Sequence, residues 1–191
     1  MKKFRSLILL MAVMVGVSFM SVGTVAAAEM PGELQAVVDK AKSAAGSCAE
    51  KLNGAWGDQH VALMASEKGK DFADFKSMQT TLNGQLAGSG ATYIYVIYPS
   101  GAIEKEPFFI TVDGSAEPDD YGTKLDWEVG FAGGWNGITT AADKVAKDDN
   151  GNLLLSVYSP VRDSKGDIVA VLGVDFPAPE AANFPEWIES E

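Results

Sequence analysis

The chain has 191 residues, with 15 Lys+Arg against 26 Asp+Glu, one His, and a formal charge of −11. So acidic a surface repels nucleic acid and anionic lipid, which argues against either as a partner and in favour of solubility. Cys48 is the single cysteine, which excludes an internal disulfide, and an exported chain of this kind fits a bacterial or archaeal envelope.

The first 28 residues read as an export signal. Lys2, Lys3 and Arg5 form a basic start, Leu7 to Met20 an apolar run, and Ala26-Ala27-Ala28 a small-residue site for cleavage before Glu29. The alternative is an uncut anchor helix; Ser18, Ser21 and Gly23 dilute the run that a membrane span needs. Three of the 15 basic residues lie in this leader, so the remaining 12 face all 26 acids and the exported chain carries −14. Its 163 residues make one ordinary domain, expected over 29–176, with a tail over 177–191.

Pro31 to Leu52 has apolar residues at three and four spacing, from Leu34 through Cys48, and is expected to be a helix stopped by Asn53-Gly54. Cys48 lies on its apolar side, where an inert buried thiol is the usual case. Asp58 to Ser66 continues helically with Asp58 as N-cap, until Gly69. Lys70 to Leu86 is a further helix, with Phe72, Phe75, Met78, Leu82 and Leu86 as its stripe.

Four strands follow: Ala91 to Tyr98, Phe108 to Asp113, Leu153 to Ser159 and Ile168 to Asp175, with Pro160 ending the third. Side chains alternate across a strand, so each splits into two faces. One face holds Ile94 and Val96, then Phe108, Ile110 and Val112, then Leu153, Leu155 and Val157, then Ile168, Ala170, Leu172 and Val174. The other holds Tyr93, Tyr95, Phe109, Thr111, Asp113, Ser156, Tyr158, Val171, Gly173 and Asp175. A sheet with one aliphatic and one aromatic-polar face suggests helices on the first and a pocket on the second. Between the second and third strands, Gly114 to Gly151 is long enough for a binding lid. Within it, Leu125 to Phe131 suggests a short helix ended by Gly133-Gly134.

The order of these pieces resembles the Cache family of extracytoplasmic sensor domains, which have a PAS-like fold. The residues that carry the likeness are Tyr93-Ile94-Tyr95-Val96, Phe108 to Asp113, Pro118-Asp119-Asp120-Tyr121-Gly122, and above all Ser156 to Asp163 and Gly166 to Asp175. It covers roughly residues 33–176. It implies an α+β fold, with a central antiparallel sheet, the long N-terminal helix on one face and a ligand pocket on the other. It also implies sensing of a small metabolite such as an organic acid or amino acid. Family members are usually followed by a membrane helix and a signalling module. This chain stops at Glu191 with neither, so a free-standing periplasmic or secreted protein is expected, acting with a membrane receptor or kinase and not itself spanning the membrane.

Candidate ligand contacts follow from side-chain chemistry. Tyr93, Tyr95 and Tyr158 pair a flat apolar body with a polar tip, and Ser156 adds a hydroxyl. Asp113 and Asp175 end strands on the mixed face and suit an ammonium or hydroxyl, or else turn amides. Trp127 and Trp135 lie in the lid, where they stack on a ligand or anchor the lid. Arg162 and Lys124 are candidate carboxylate partners. No enzyme is expected. His60 has no nucleophile pattern beside it, and no His/Cys cluster has zinc spacing. The Asp148-Asp149-Asn150-Gly151 turn misses the calcium-loop pattern, which would place its first ligand at Ala146 and its twelfth at Val157. Gly130 to Gly137 lacks the Walker Lys-Ser/Thr, so no cofactor is expected either. A ligand-free interaction module, or a membrane-anchored receptor fragment with an uncut leader, are the alternatives.

Overall fold

The computed structural model describes residues 30–103 and 106–190. The predicted leader lies outside them. Three helices come first: α1 Gly32–Leu52, α2 Ala55–Ser66 and α3 Phe75–Leu86. Then come β1 Tyr93–Pro99, β2 Phe108–Asp113, β3 Lys124–Leu125, α4 Val129–Trp135, β4 Thr140–Ala141, β5 Ala146–Lys147, β6 Leu153–Arg162 and β7 Ile168–Pro177. The strands form one antiparallel sheet in the order β3-β2-β1-β7-β6-β4, with β5 also pairing β6. The fold is therefore α+β, with a central antiparallel sheet as expected. No helix among the described residues is long and apolar enough to cross a membrane.

Helices α1, α2 and α3 all cover one face of the sheet. The apolar stripe of α1 is buried from Leu34 through Val38, Ala41, Ala45 and Cys48 to Leu52. It meets Leu155, Val157, Ala170, Leu172 and Val174 of the long hairpin in one cluster, to which Met78 and Leu82 of α3 add. Each such aliphatic side chain contributes about 1.5–3 kcal/mol by leaving water. The periodicities of 3.6 in the helices and 2 in the hairpin thus meet on the same layer.

Several boundaries differ from expectation, each for a physical reason. Asp58 is not the N-cap of α2, which starts three residues earlier after Gly54. Its carboxylate instead accepts the Ser164 amide at 3.0 Å, tying α2 to the β6–β7 turn. The α3 stripe is as expected, but residues 70–74 are not α-helical: a 3-10 turn spans Gly69–Asp71, and the α-helix begins after Asp74. Pro160 does not end β6. Ser156 offers its carbonyl to Ala142 on the β4 side, so the nitrogen of Pro160, four residues on, points the same way, past the end of β4. No ladder partner is lost there.

The face assignment of β2 needs correction at its start. Val96 pairs Val112 but Ile97 pairs Ile110, so Thr111 is an extra residue in a β-bulge. The bulge turns Phe108 and Ile110 to the side of Tyr95, while Thr111 faces the helices and Val112 joins the helix-side core. Finally, Gly133 and Gly134 do not end the lid helix; they lie inside α4.

The corner between α1 and α2 clamps the far end of the hairpin. Asn53 Oδ1 accepts the Arg162 amide at 2.8 Å, and Gly54 donates its amide to the Arg162 carbonyl at 2.9 Å. Gly57 lies directly against that peptide: a Cβ there would sit 2.7 Å from the Arg162 carbonyl carbon. Gly84, in contrast, is exposed in the last turn of α3 with open space around it. Gly57→Ala is expected to lower stability by about 2 kcal/mol or more, and Gly84→Ala to raise it by roughly 0.5–1 kcal/mol. Urea unfolding of the two variants checks both signs, and a neutral Gly57→Ala would contradict the close approach.

Candidate functional site

The second face of the sheet is built from cross-strand rows. In one row Tyr93 of β1 stands beside Asp175 of β7, which stands beside Ser156 of β6. In the next row Tyr95, Gly173 and Tyr158 line up in the same way. Gly173 is what lets the two tyrosines share this row. The Tyr95 ring lies over it, and a Cβ would meet the ring, 2.6 Å from its Cζ. The floor continues with Ile97, Phe108, Ile110 and Val171.

Helix α4 covers the floor. Phe131 packs edge-on to Tyr158, with ring centroids 4.7 Å apart, and against Phe108 at 5.0 Å. Three glycines allow this approach. Gly130 sits on the Tyr158 ring, Gly133 on the Thr140 side chain, and a Cβ on Gly134 would lie 2.7 Å from Val171 Cγ1. Thr140 Oγ1 donates to the Gly130 carbonyl at 2.8 Å and fastens α4 to β4.

Beside this apolar floor runs a chain of polar groups. Tyr95 donates to Asp175 Oδ1 at 3.1 Å, and Tyr158 donates to Glu128 Oε2 at 2.9 Å. The two phenols also interact with each other, and Ser156 with Asp175. Two phenolic protons serve the two carboxyl links, and a proton on either carboxyl adds a donor to the group. The electrostatics favour that. Burial pushes Glu128 up to about 7, against the lowering effect of its Tyr158 bond, and Glu189, Asp175 and Asp143 push it further. Burial likewise raises Asp175 to about 6, opposed by its Ser156 and Tyr95 bonds. Both phenols are held well above the usual tyrosine range, by burial first and then by the nearby carboxylates. Glu128, Ser156 and Asp175 are only half-buried, so this end of the face stays open to solvent.

Of the ten candidates from the sequence, Tyr95, Ser156, Tyr158 and Asp175 come together here. Tyr93 stands at the edge of the group, with its hydroxyl 3.5 Å from Asp148 Oδ2. Asp113 shares the face through its pairing with Tyr95, but its carboxylate accepts the amides of Ser115 at 2.7 Å and Asp119 at 2.9 Å. It braces the loop after β2. Trp135 packs on Tyr98 and Phe108 at the end of α4. Trp127 is 39% exposed and donates its indole N–H to the Ile103 carbonyl. Arg162 and Lys124 are not brought to the group. Arg162 bonds the Gly166 carbonyl at the hairpin turn, and Lys124 is exposed on β3.

Glu128 was not among the candidates, although it stands next to Trp127 at the entry to the lid helix. An acid flanking a short apolar stretch carries no signature of burial, so only the fold reveals its partner. Among the described residues no group of three or more His, Cys, Asp or Glu is placed to hold a metal ion. A separate groove of about 440 Å³ lies between α1 and the segment after β7, lined mainly by Ala36, Val37, Ala41, Ala44, Phe176 and Pro177. Its rim also carries Glu33, Lys40, Ser89 and Glu180, and none of the sequence candidates lines it.

No family model matches the chain, and no curated protein matches it. Solved structures it is similar to include ligand-binding and sensory domains of chemoreceptors. The ligand-binding domain of the Campylobacter jejuni chemoreceptor Tlp3 in complex with 4-methylisoleucine is 15% identical with a TM-score of 0.39, covering 79% of this chain and 61% of that one. The periplasmic sensory domain of the Campylobacter jejuni chemoreceptor Tlp1 is 10% identical with a TM-score of 0.41, covering 84% and 60%. The periplasmic domain of RsbU from Chlamydia trachomatis is 13% identical with a TM-score of 0.37, covering 79% and 55%. The chain thus spans less than two thirds of the length of each.

The raised carboxyl groups make a pH prediction. A carboxyl that holds its proton more tightly in the folded state costs stability as pH rises from its unfolded value through its folded one, here from about 4.5 to about 7 for Glu128. Glu128→Gln keeps an acceptor for Tyr158 and removes this cost. The variant is expected to match the wild type near pH 4 and to exceed it by on the order of 2 kcal/mol at pH 8. Denaturant midpoints across that range test it, and parallel profiles would show that Glu128 titrates freely.

Proposed function

We propose that this chain is an exported, non-catalytic sensor-type domain that binds a small metabolite at the open end of the α4 face and acts with a membrane signalling partner. The observation that supports it most is the Asp175–Tyr95–Tyr158–Glu128 chain. A fold has no need of two half-buried carboxyls that burial and neighbouring carboxylates leave holding protons toward neutral pH. They weaken the domain, and such groups cluster where a ligand is to be met. The charges acting on Glu128 are Glu189, Asp175 and Asp143, and the charge acting on Asp175 is Asp113, so all are carboxylates. That setting suits an ammonium or hydroxyl group, so an amino acid or other amine fits better than a simple organic acid. The phenol rings and the apolar floor would take its carbon skeleton.

Chemistry on the ligand is not supported. His60 is fully buried on the helix side of the sheet, and the Cys48 thiol is buried in α1 with its ionisation suppressed by that burial. One observation favours a second reading, a ligand-free interaction module: Phe131 and the α4 glycines already fill much of the face.

Melting temperature against a panel of amino acids, amines, organic acids and purines separates the two. Selective binding to the native state stabilises it by mass action, about 2.7 kcal/mol at a hundredfold excess over Kd. A saturable rise with amine-bearing compounds is expected, lost in Asp175→Asn and in Tyr158→Phe with the fold retained. No rise with any class would favour the interaction module, and a rise that survives both substitutions would move the site elsewhere.

A further inference from the structure

His60 is the single histidine of the chain, and it sits on α2 with no exposed surface. It has no part in the candidate site, yet it touches the element that shapes it. Its Nε2 lies 2.9 Å from Thr111 Oγ1, the side chain of the β2 bulge. Thr111 in turn donates its hydroxyl proton to the Val96 carbonyl at 3.0 Å. A hydroxyl has one proton, so with that proton on Val96 the imidazole must donate through Nε2. In that arrangement Nε2 carries the proton, and Nδ1 is the ring nitrogen turned away from Thr111. It is a buried nitrogen without a hydrogen-bond partner.

We infer that His60 is a positioning residue for the α4 face: its buried imidazole holds the Thr111 bulge that turns Phe108 and Ile110 toward α4, and acid, by charging a ring that no carboxylate faces, drives it out of that contact. The bulge is the pivot because side-chain direction alternates along a strand. Straightening it by one residue would send Phe108 and Ile110 to the helix side and strip the floor from under Phe131. Trp56 stacks on the ring from one side, with centroids 5.8 Å apart and planes at 15°, and Tyr98 approaches from β1 at 6.1 Å. The groups facing the imidazole are thus Trp56 from its own helix, Tyr98 from β1, Thr111 from β2 and the Val169 backbone from β7. Of these only Tyr98 has a titratable side chain, and none supplies a carboxylate to an imidazolium. Burial pushes the ring down to about 4, with the Val169 backbone acting more weakly the other way.

The sign follows directly. A histidine whose folded value lies below its unfolded one contributes nothing above about pH 6.5 and costs stability progressively as pH falls from there to about 4. This runs opposite to Glu128 and Asp175, which favour the folded state on acidification over much of the same range. The consequence for a ligand rests on the reading of the α4 face as a binding face. The test does not, because no ligand is added.

Because the histidine is unique, its ring signals in a nuclear magnetic resonance spectrum of the full chain need no assignment strategy. At pH 7 they are expected to show the Nε2–H tautomer, and not to titrate until about pH 4. The Ile110 methyl signals should move in step with them. His60→Gln keeps a donor for Thr111 and cannot titrate. Between pH 7 and pH 4 the wild-type folding constant is expected to fall on the order of 100-fold further than that of the variant, since the carboxyl contributions are common to both. An imidazole titrating near 6.5 in a folded chain would overturn the inference, as would Ile110 signals indifferent to its titration or identical acid profiles for the two proteins. Should His60→Gln not fold, the wild-type titration and the Ile110 signals decide alone.

Discussion

The structure depends on the pairing register of three adjacent strands, β1, β7 and β6. That register alone decides that Tyr95, Ser156, Tyr158 and Asp175, scattered over 81 positions of sequence, become neighbours on one face. The same register sends Ile94, Val96, Val157, Leu172 and Val174 to the other face, where the helices bury them. The two demands reinforce each other. A slip of one residue would place tyrosines and an aspartate under α1 and aliphatic side chains under α4. Burial of the helix-side core is therefore also what specifies the polar side. The phenol–carboxyl chain is held by a hydrophobic cluster on the far side of the sheet, with no contact to it.

The two layers differ in what they tolerate. The helix side is packed from aliphatic side chains on a regular stripe and serves as the frame. On the α4 side, aromatic rings, glycines and acids are fitted together at short range, with Gly173 making room for Tyr95 and Gly130 for Tyr158. Buried phenols need partners for their hydroxyls, and here the partners are carboxyls rather than backbone groups. That choice couples the protonation of the face to its packing, so proton occupancy and tyrosine position belong to one equilibrium.

Much of this was legible in the sequence where one period ran unbroken. The β6–β7 hairpin alternates cleanly for most of its length, and the α1 stripe keeps its spacing from Leu34 to Leu52, so their faces could be read directly. What escaped notice broke a period without marking it. Thr111 looks like any other strand threonine, and its bulge is visible only through the pairing of Val112 and Ile110 with consecutive β1 residues. Pro160 reads as a strand end because its neighbour across the sheet cannot be seen; β4 stops just short of it. Gly133 and Gly134 read as a helix stop, since glycine weakens a helix, but here the demand of close packing on Thr140 and Val171 outweighs that preference. Glu128 was missed for a related reason: a surface-type residue becomes a site residue only through the phenol it meets.

The glycines of α4 have one more consequence. A seven-residue helix is too short to persist alone in water, and three glycines among its seven residues weaken it by about a further 1 kcal/mol each relative to alanine. It is helical because it lies on the sheet. Lifting it from the floor would therefore also melt it, making the cover of this face a segment that folds where it lands rather than a rigid door on a hinge. Access to the tyrosines then becomes a local folding reaction, its equilibrium set by how much of the apolar floor the segment covers and its pace by the microsecond formation of a short helix rather than by the swing of a domain.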